Sequence, residues 1–160
     1  MSNETTEVAE PSAKRAWTDE TWAFLVLRLW LAARALATGL TKFGGTNEAG
    51  EKTYGFQYYS AIPDAMKEAF AAQPLLPDFL TKPFYAVLGY ALIGLGLMLL
   101  VGLGTRISLV LMGVLYTALT FGLILLGADD GISWLAVHII LVALALAYAK
   151  HNRLAILNKW

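Results

Sequence analysis

Between Pro83 and Ala149 the chain carries only three charged side chains, Arg106, Asp129 and Asp130. Such a run cannot present a solvated face, because a surface helix of a soluble domain keeps a polar stripe. It has the character of chain that sits in lipid, where a spanning helix needs about 20 mostly apolar residues. Turn residues divide the run. Pro83 to Leu103 is followed by Gly104-Thr105-Arg106, Ile107 to Leu126 by Gly127-Ala128-Asp129-Asp130-Gly131, and Ile132 to Ala149 by the basic Lys150-His151-Asn152-Arg153. A further apolar stretch, Trp22 to Phe43, closes at Gly44-Gly45. Connections this short between consecutive spans force antiparallel neighbours. The sequence therefore predicts an all-α integral membrane four-helix up-and-down bundle, with spans at about 22–43, 83–103, 107–126 and 132–149.

The remaining segments fall into place around these spans. Residues 1–21 read as a flexible polar tail with an interfacial tryptophan, and 150–160 as a basic tail. Residues 44–82 form a long outer loop. Its aromatic run Tyr54, Phe56, Tyr58 and Tyr59 suits the membrane interface. Pro63 can open a short helix with Asp64 in its first turn and Met66, Ala69 and Phe70 on one side, which Pro74 would stop. An interfacial helical cap over the outer end of the bundle follows, a solvated loop being the alternative. Basic residues near helix ends set orientation. Lys14, Arg15, Arg106, Lys150, Arg153 and Lys159 collect densely on one side, so both termini are expected in the cytoplasm and the protein in the plasma (inner) membrane.

Composition narrows the function. Hydrophobic residues make up 58% and charged residues 15% of the chain, against roughly 45–50% and about 25% in soluble domains. Formal net charge is zero, which provides no long-range field to recruit nucleic acid. Without cysteine, the chain itself performs no thiolate, disulfide or iron–sulfur chemistry.

Arg34 is the most informative position. It lies near the middle of the first span, where an unpaired charge costs several kcal/mol, and arginine cannot escape by deprotonating. Snorkelling suits Arg28, nearer the cytoplasmic end, and suits Arg34 poorly. No Asp or Glu lies within the four apolar spans. The partner of Arg34 must then be a carbonyl, a neutral side chain, a lipid, a ligand or another subunit. Trp30, Arg34, Thr38 and Lys42 recur every four residues and share a slowly drifting stripe, expected to face the bundle interior or a partner. By helical rise, Arg34 and Thr38 lie roughly 8–14 Å below the outer end, and Tyr90, Thr120 and His138 fall in about the same layer. His138 has three readings: a hydrogen bond to a neighbouring helix, a small ligand such as a quinone headgroup, or haem shared with another subunit's histidine. His151, about 20 Å farther along the helix direction, cannot complete a haem pair within the chain. Gly89, Gly94, Gly96, Gly102 and Gly104, with the pairs Ala33/Ala37 and Ala145/Ala149, read as close helix packing.

Leu27-Arg28, the helix exit Gly39-Leu40-Thr41-Lys42-Phe43-Gly44 and Leu103-Gly104-Thr105-Arg106 resemble the DoxX/DoxD-like membrane proteins, over roughly Trp22 to Leu157. The resemblance implies a four-helix membrane subunit associated with respiratory or sulfur redox enzymes, such as the membrane part of thiosulfate:quinone oxidoreductase. The chain departs from it at Asn152-Arg153-Leu154-Ala155, where DoxX proteins carry a Gly-Arg-Ser-Asp-like ending, and its lack of cysteine puts any sulfur chemistry on a partner. The leading expectation is a non-catalytic or quinone-proximal subunit of a prokaryotic redox complex. Arg34, His138, Tyr90, Thr38, Lys42, Trp30 and Thr120 would then touch quinone, lipid or partner helices. The rivals are a purely structural subunit and, weakest, a small-solute transporter, for which inverted repeats and broken helices are missing.

Overall fold

A computed structural model describes residues 17–62, 64–154 and 156. Pro63, the tail before Trp17 and Lys159 lie outside the described residues. The chain forms α1 (Asp19–Thr41), a hairpin of β1 (Gly44–Thr46) and β2 (Lys52–Tyr54), and a 3-10 turn at Phe56–Tyr58. There follow α2 (Asp64–Ala71), α3 (Asp78–Val101), α4 (Thr105–Leu126) and α5 (Asp129–Tyr148), which runs into a 3-10 turn at Ala149–His151. Four of these helices, α1, α3, α4 and α5, are long and apolar enough to cross a membrane.

The four helices form a ring in which α1 packs on α3 and α5, and α4 packs on α3 and α5. The starts of α1 and α4 and the ends of α3 and α5 share one end of the bundle, called here the terminal end; the hairpin and α2 cap the other, the loop end. Phe24, Leu31, Leu92, Leu99, Leu109, Met112 and Val142 fill the core. The α1–α3 seam is the closest. A Cβ on Gly39 would sit 2.7 Å from Ile93 Cγ1, and one on Gly96 2.8 Å from Leu36 Cγ. No such atoms are there, so the backbones approach.

Several local expectations change. Gly89 and Gly96 do pack closely, but Gly94 meets nothing within 4 Å, and Gly102 and Gly104 serve the α3–α4 turn with φ of 84° and 49°. Ala145 and Ala149 are buried, while Ala33 and Ala37 lie on the outer surface. Helix α3 starts at Asp78, not at Pro83, with Pro77 as its cap and Pro83 inside. The cost is one backbone bond, to the carbonyl of Phe79.

The hairpin was not anticipated. It pairs Gly44 with Tyr54 and Thr46 with Lys52. Its turn is built on Asn47, whose Oδ1 accepts from the backbone of Ala49 and Glu51. Its Gly45 leaves room for the Tyr58 ring. Beneath it Phe43, Phe56, Tyr59 and Tyr90 form an aromatic cluster, with Phe43 and Tyr59 centroids 4.9 Å apart and Tyr59 and Tyr90 5.4 Å apart. The Tyr59 hydroxyl donates to the Tyr85 carbonyl and accepts from the Gly89 N–H, fastening the loop to α3.

Candidate functional site

Helices α3 and α4 leave their shared glycine turn in contact and are the least extensively packed of the four neighbouring pairs. Toward the loop end a cavity of about 1030 Å³ lies beside them. Leu88 and Leu92 of α3, Gly113 and Gly122 of α4 and Leu135 of α5 form part of its wall. Phe70 of α2 reaches its mouth and meets the Tyr85 ring at 5.4 Å. Val114 and Phe121 line the cavity and are also exposed on the outer face of the bundle. The space therefore opens sideways, toward where acyl chains would lie.

Polar groups in this wall are few: Thr38, Lys42, Thr81, Tyr85 and Thr117. Thr117 spends its hydroxyl on the Gly113 carbonyl at 2.8 Å, and Thr81 on the Pro77 carbonyl. Lys42 is the single charged residue in the lining, with its Nζ donating to the Ala61 carbonyl at 2.7 Å. Burial pushes the Lys42 ammonium below its ordinary lysine pKa, because the charged form loses hydration. An ammonium has three donors, so one bond to Ala61 leaves others for an acceptor in the cavity.

The candidate residues divide into groups rather than one layer. Thr38 and Lys42 line the cavity. Trp30 and Arg34 lie on the outer face of α1. The stripe splits because each four-residue step turns about 40° around the helix, so three steps carry Lys42 about 120° away from Trp30. Tyr90 joins the aromatic cluster and is half exposed. Thr120 bonds its own helix at the Tyr116 carbonyl, 2.8 Å away. His138 is buried, and its Nδ1 lies 2.7 Å from the Trp134 carbonyl, which fixes the proton there in the neutral ring. Its Nε2 has no partner among the described residues, and its ring meets Tyr116 edge-on at 5.7 Å. The Tyr116 hydroxyl in turn lies within electrostatic reach of Arg34. His138, Tyr116 and Arg34 thus form a second polar set away from the cavity, and of the three only Tyr116 was not among the candidate site residues.

Arg28 departs furthest from expectation. It does not snorkel to water; it is 4% exposed. Its Nη1 donates to Asn152 Oδ1 at 2.9 Å and to the Leu154 carbonyl at 2.8 Å, and its Nη2 to the Leu100 carbonyl at 3.5 Å. Asn152 Nδ2 continues to Thr105 Oγ1 at 2.8 Å. The four spanning segments are joined here at the terminal end. The one hint in the sequence was an asparagine just beyond a membrane span.

A family model described as DoxX matches residues 23–138, from the start of α1 to His138. No curated protein and no solved structure matches the chain.

Proposed function

The chain belongs to the DoxX family, and on that premise we propose that it is a membrane subunit of a prokaryotic redox complex that binds an amphipathic molecule between α3 and α4. It lies in the inner membrane with both ends cytoplasmic, and the electron chemistry belongs to partner subunits. The observation that carries the ligand reading is the cavity of about 1030 Å³, lined mostly by apolar side chains and with one cation in its wall. Ligand pockets are typically about 300–1000 Å³, mostly apolar, with a few placed polar groups. A hydrogen-bond-accepting head on a long apolar tail fits that pattern, with the head at Lys42 and Thr38 and the tail along Leu88, Leu92 and Val114. A quinone and a lipid share this chemistry.

Mass analysis of extracts from the gently purified complex separates the two. The native protein is expected to carry quinone or a defined lipid. Gly122→Leu and Val114→Trp, which fill the cavity, should lower that load, while Val137→Trp on the outer face of α5 should not. Equal loads in all four proteins would overturn the ligand reading. Purification without any oxidoreductase subunit would overturn the redox-complex reading.

A further inference from the structure

One charge in the apolar stretch of the bundle is unaccounted for. The outer face of α1 is a continuous stripe that includes Val26, Trp30, Ala33, Arg34, Ala37 and Leu40, all exposed. At comparable depth the outer faces of α4 and α5 carry no charged side chain among the described residues; Val114, Thr117, Val137 and Ile140 are exposed there. Among the described residues Arg34 makes no hydrogen bond or ion pair; the Tyr116 hydroxyl lies within its electrostatic reach. A guanidinium stays charged at any accessible pH, and facing lipid costs about 2.5 kcal/mol or more at the centre of a span, with Arg34 about four residues from the centre of α1. The loop end is the nearer water, but Cβ on a helix tilts toward the N-terminus. The side chain of Arg34 therefore starts out in the wrong direction for snorkelling.

What covers Arg34 must bring negative charge to its depth. A second copy cannot. Its acids near the spans are Asp19 and Glu20 at the terminal end and Asp78, Asp129 and Asp130 at the loop end. A two-fold pairing through this face would also set two Arg34 side chains against each other. Lipid phosphates sit at headgroup level, roughly 10 Å along the helix from Arg34. We propose that the Arg34 face of α1 docks a transmembrane helix of another protein that carries a carboxylate at the same depth. Ala33 and Ala37, one turn apart beside Arg34, let a partner backbone approach closely. The guanidinium fork then meets the carboxylate through two parallel bonds. This inference rests on the membrane-subunit part of the reading above and not on the cavity.

The test uses the full chain in liposomes, with energy transfer to polyleucine helices carrying Glu, Gln or Leu at the depth of Arg34. No quinone is present, so the result is independent of the cavity. The Glu helix is expected to associate about tenfold more tightly than the Gln helix, in line with polar contacts in membranes. Arg34→Leu should abolish that preference. Adding Val137→Arg to Arg34→Leu, which moves the charge to α5, should not restore it. A Glu preference absent from the native chain, surviving Arg34→Leu, or restored by Val137→Arg would overturn the proposal. Self-association that depends on Arg34 would assign the face to a second copy instead. Binding of the Glu helix in neutral vesicles that disappears with anionic phosphatidylglycerol would assign it to a lipid phosphate.

Discussion

The two ends of the bundle treat polar groups in opposite ways. At the terminal end Arg28, Asn152 and Thr105 are buried and bonded to one another and to the Leu100 and Leu154 carbonyls, with little space left over. At the loop end α3 and α4 enclose a large apolar space, and the lysine at its edge holds only the Ala61 carbonyl. One end is a closed joint and the other an open one. A bundle jointed in this way can vary the spacing of α3 and α4 at its far end without losing its topology. Stability should therefore be concentrated at the terminal end and adaptability at the loop end.

The strongest way to break this contrast is to remove the joint. Arg28→Leu strips the donors from the buried Asn152 Oδ1 and two part-buried carbonyls and should cost about 3–5 kcal/mol, the loss of several hydrogen bonds to a charged group at about 1.5–3 kcal/mol each. Arg34→Leu, on the outer face, should leave unfolding in detergent unchanged or slightly raised. Equal losses for the two, measured by thermal unfolding, would show that the terminal end is no special anchor. Asn152→Ala cuts the link from Arg28 to Thr105 and should cost about 1–3 kcal/mol, the penalty for unsatisfied buried groups.

A pair of glycine substitutions sharpens the comparison between seams. Gly39→Ala puts a Cβ 2.7 Å from Ile93 Cγ1 and 3.1 Å from the Gly89 carbonyl oxygen, and should cost about 1–3 kcal/mol by overpacking. Gly122→Ala meets Phe70 at 3.6 Å and Tyr85 Oη at 3.9 Å, ordinary contacts, and should be close to neutral. The smallest effect concerns Lys42. Its folded pKa lies below the ordinary 10.5, so the unfolded chain binds more protons between the two values. The burial penalty is present in full below the folded pKa and fades as pH rises toward 10.5. Stability relative to Lys42→Met should accordingly rise with pH across that window. A flat difference would show that Lys42 keeps its hydration.

The spans were legible because lipid removes choice: backbone groups there must bond within the segment, and long apolar runs between glycine turns leave only helices. The hairpin was not, since Gly44–Thr46 and Lys52–Tyr54 are too short and polar to carry a strand pattern. The two arginines looked alike as charges in one span, and depth alone made Arg34 the interior candidate. Which of them is buried depends on where residues 152–154 fold back, a contact more than a hundred positions away. Depth counting did place Arg34 and His138 near one level. It could not reveal the cavity, because the splay of α3 from α4 is a property of the packed bundle and not of either helix.

The bond from Arg28 to residues near the C-terminus also sets an order of events during synthesis. Of the four spanning helices α1 leaves the ribosome first, with a cation whose acceptors, Asn152 and Leu154, are made more than a hundred residues later. At about 5–20 residues per second, that cation waits on the order of ten seconds for them. Until then the nascent chain holds an unsatisfied charge in or near the translocon, available to insertion factors. A chain truncated before Asn152 would never bury it. The closing of this one contact therefore marks a bundle whose four spans have all been made.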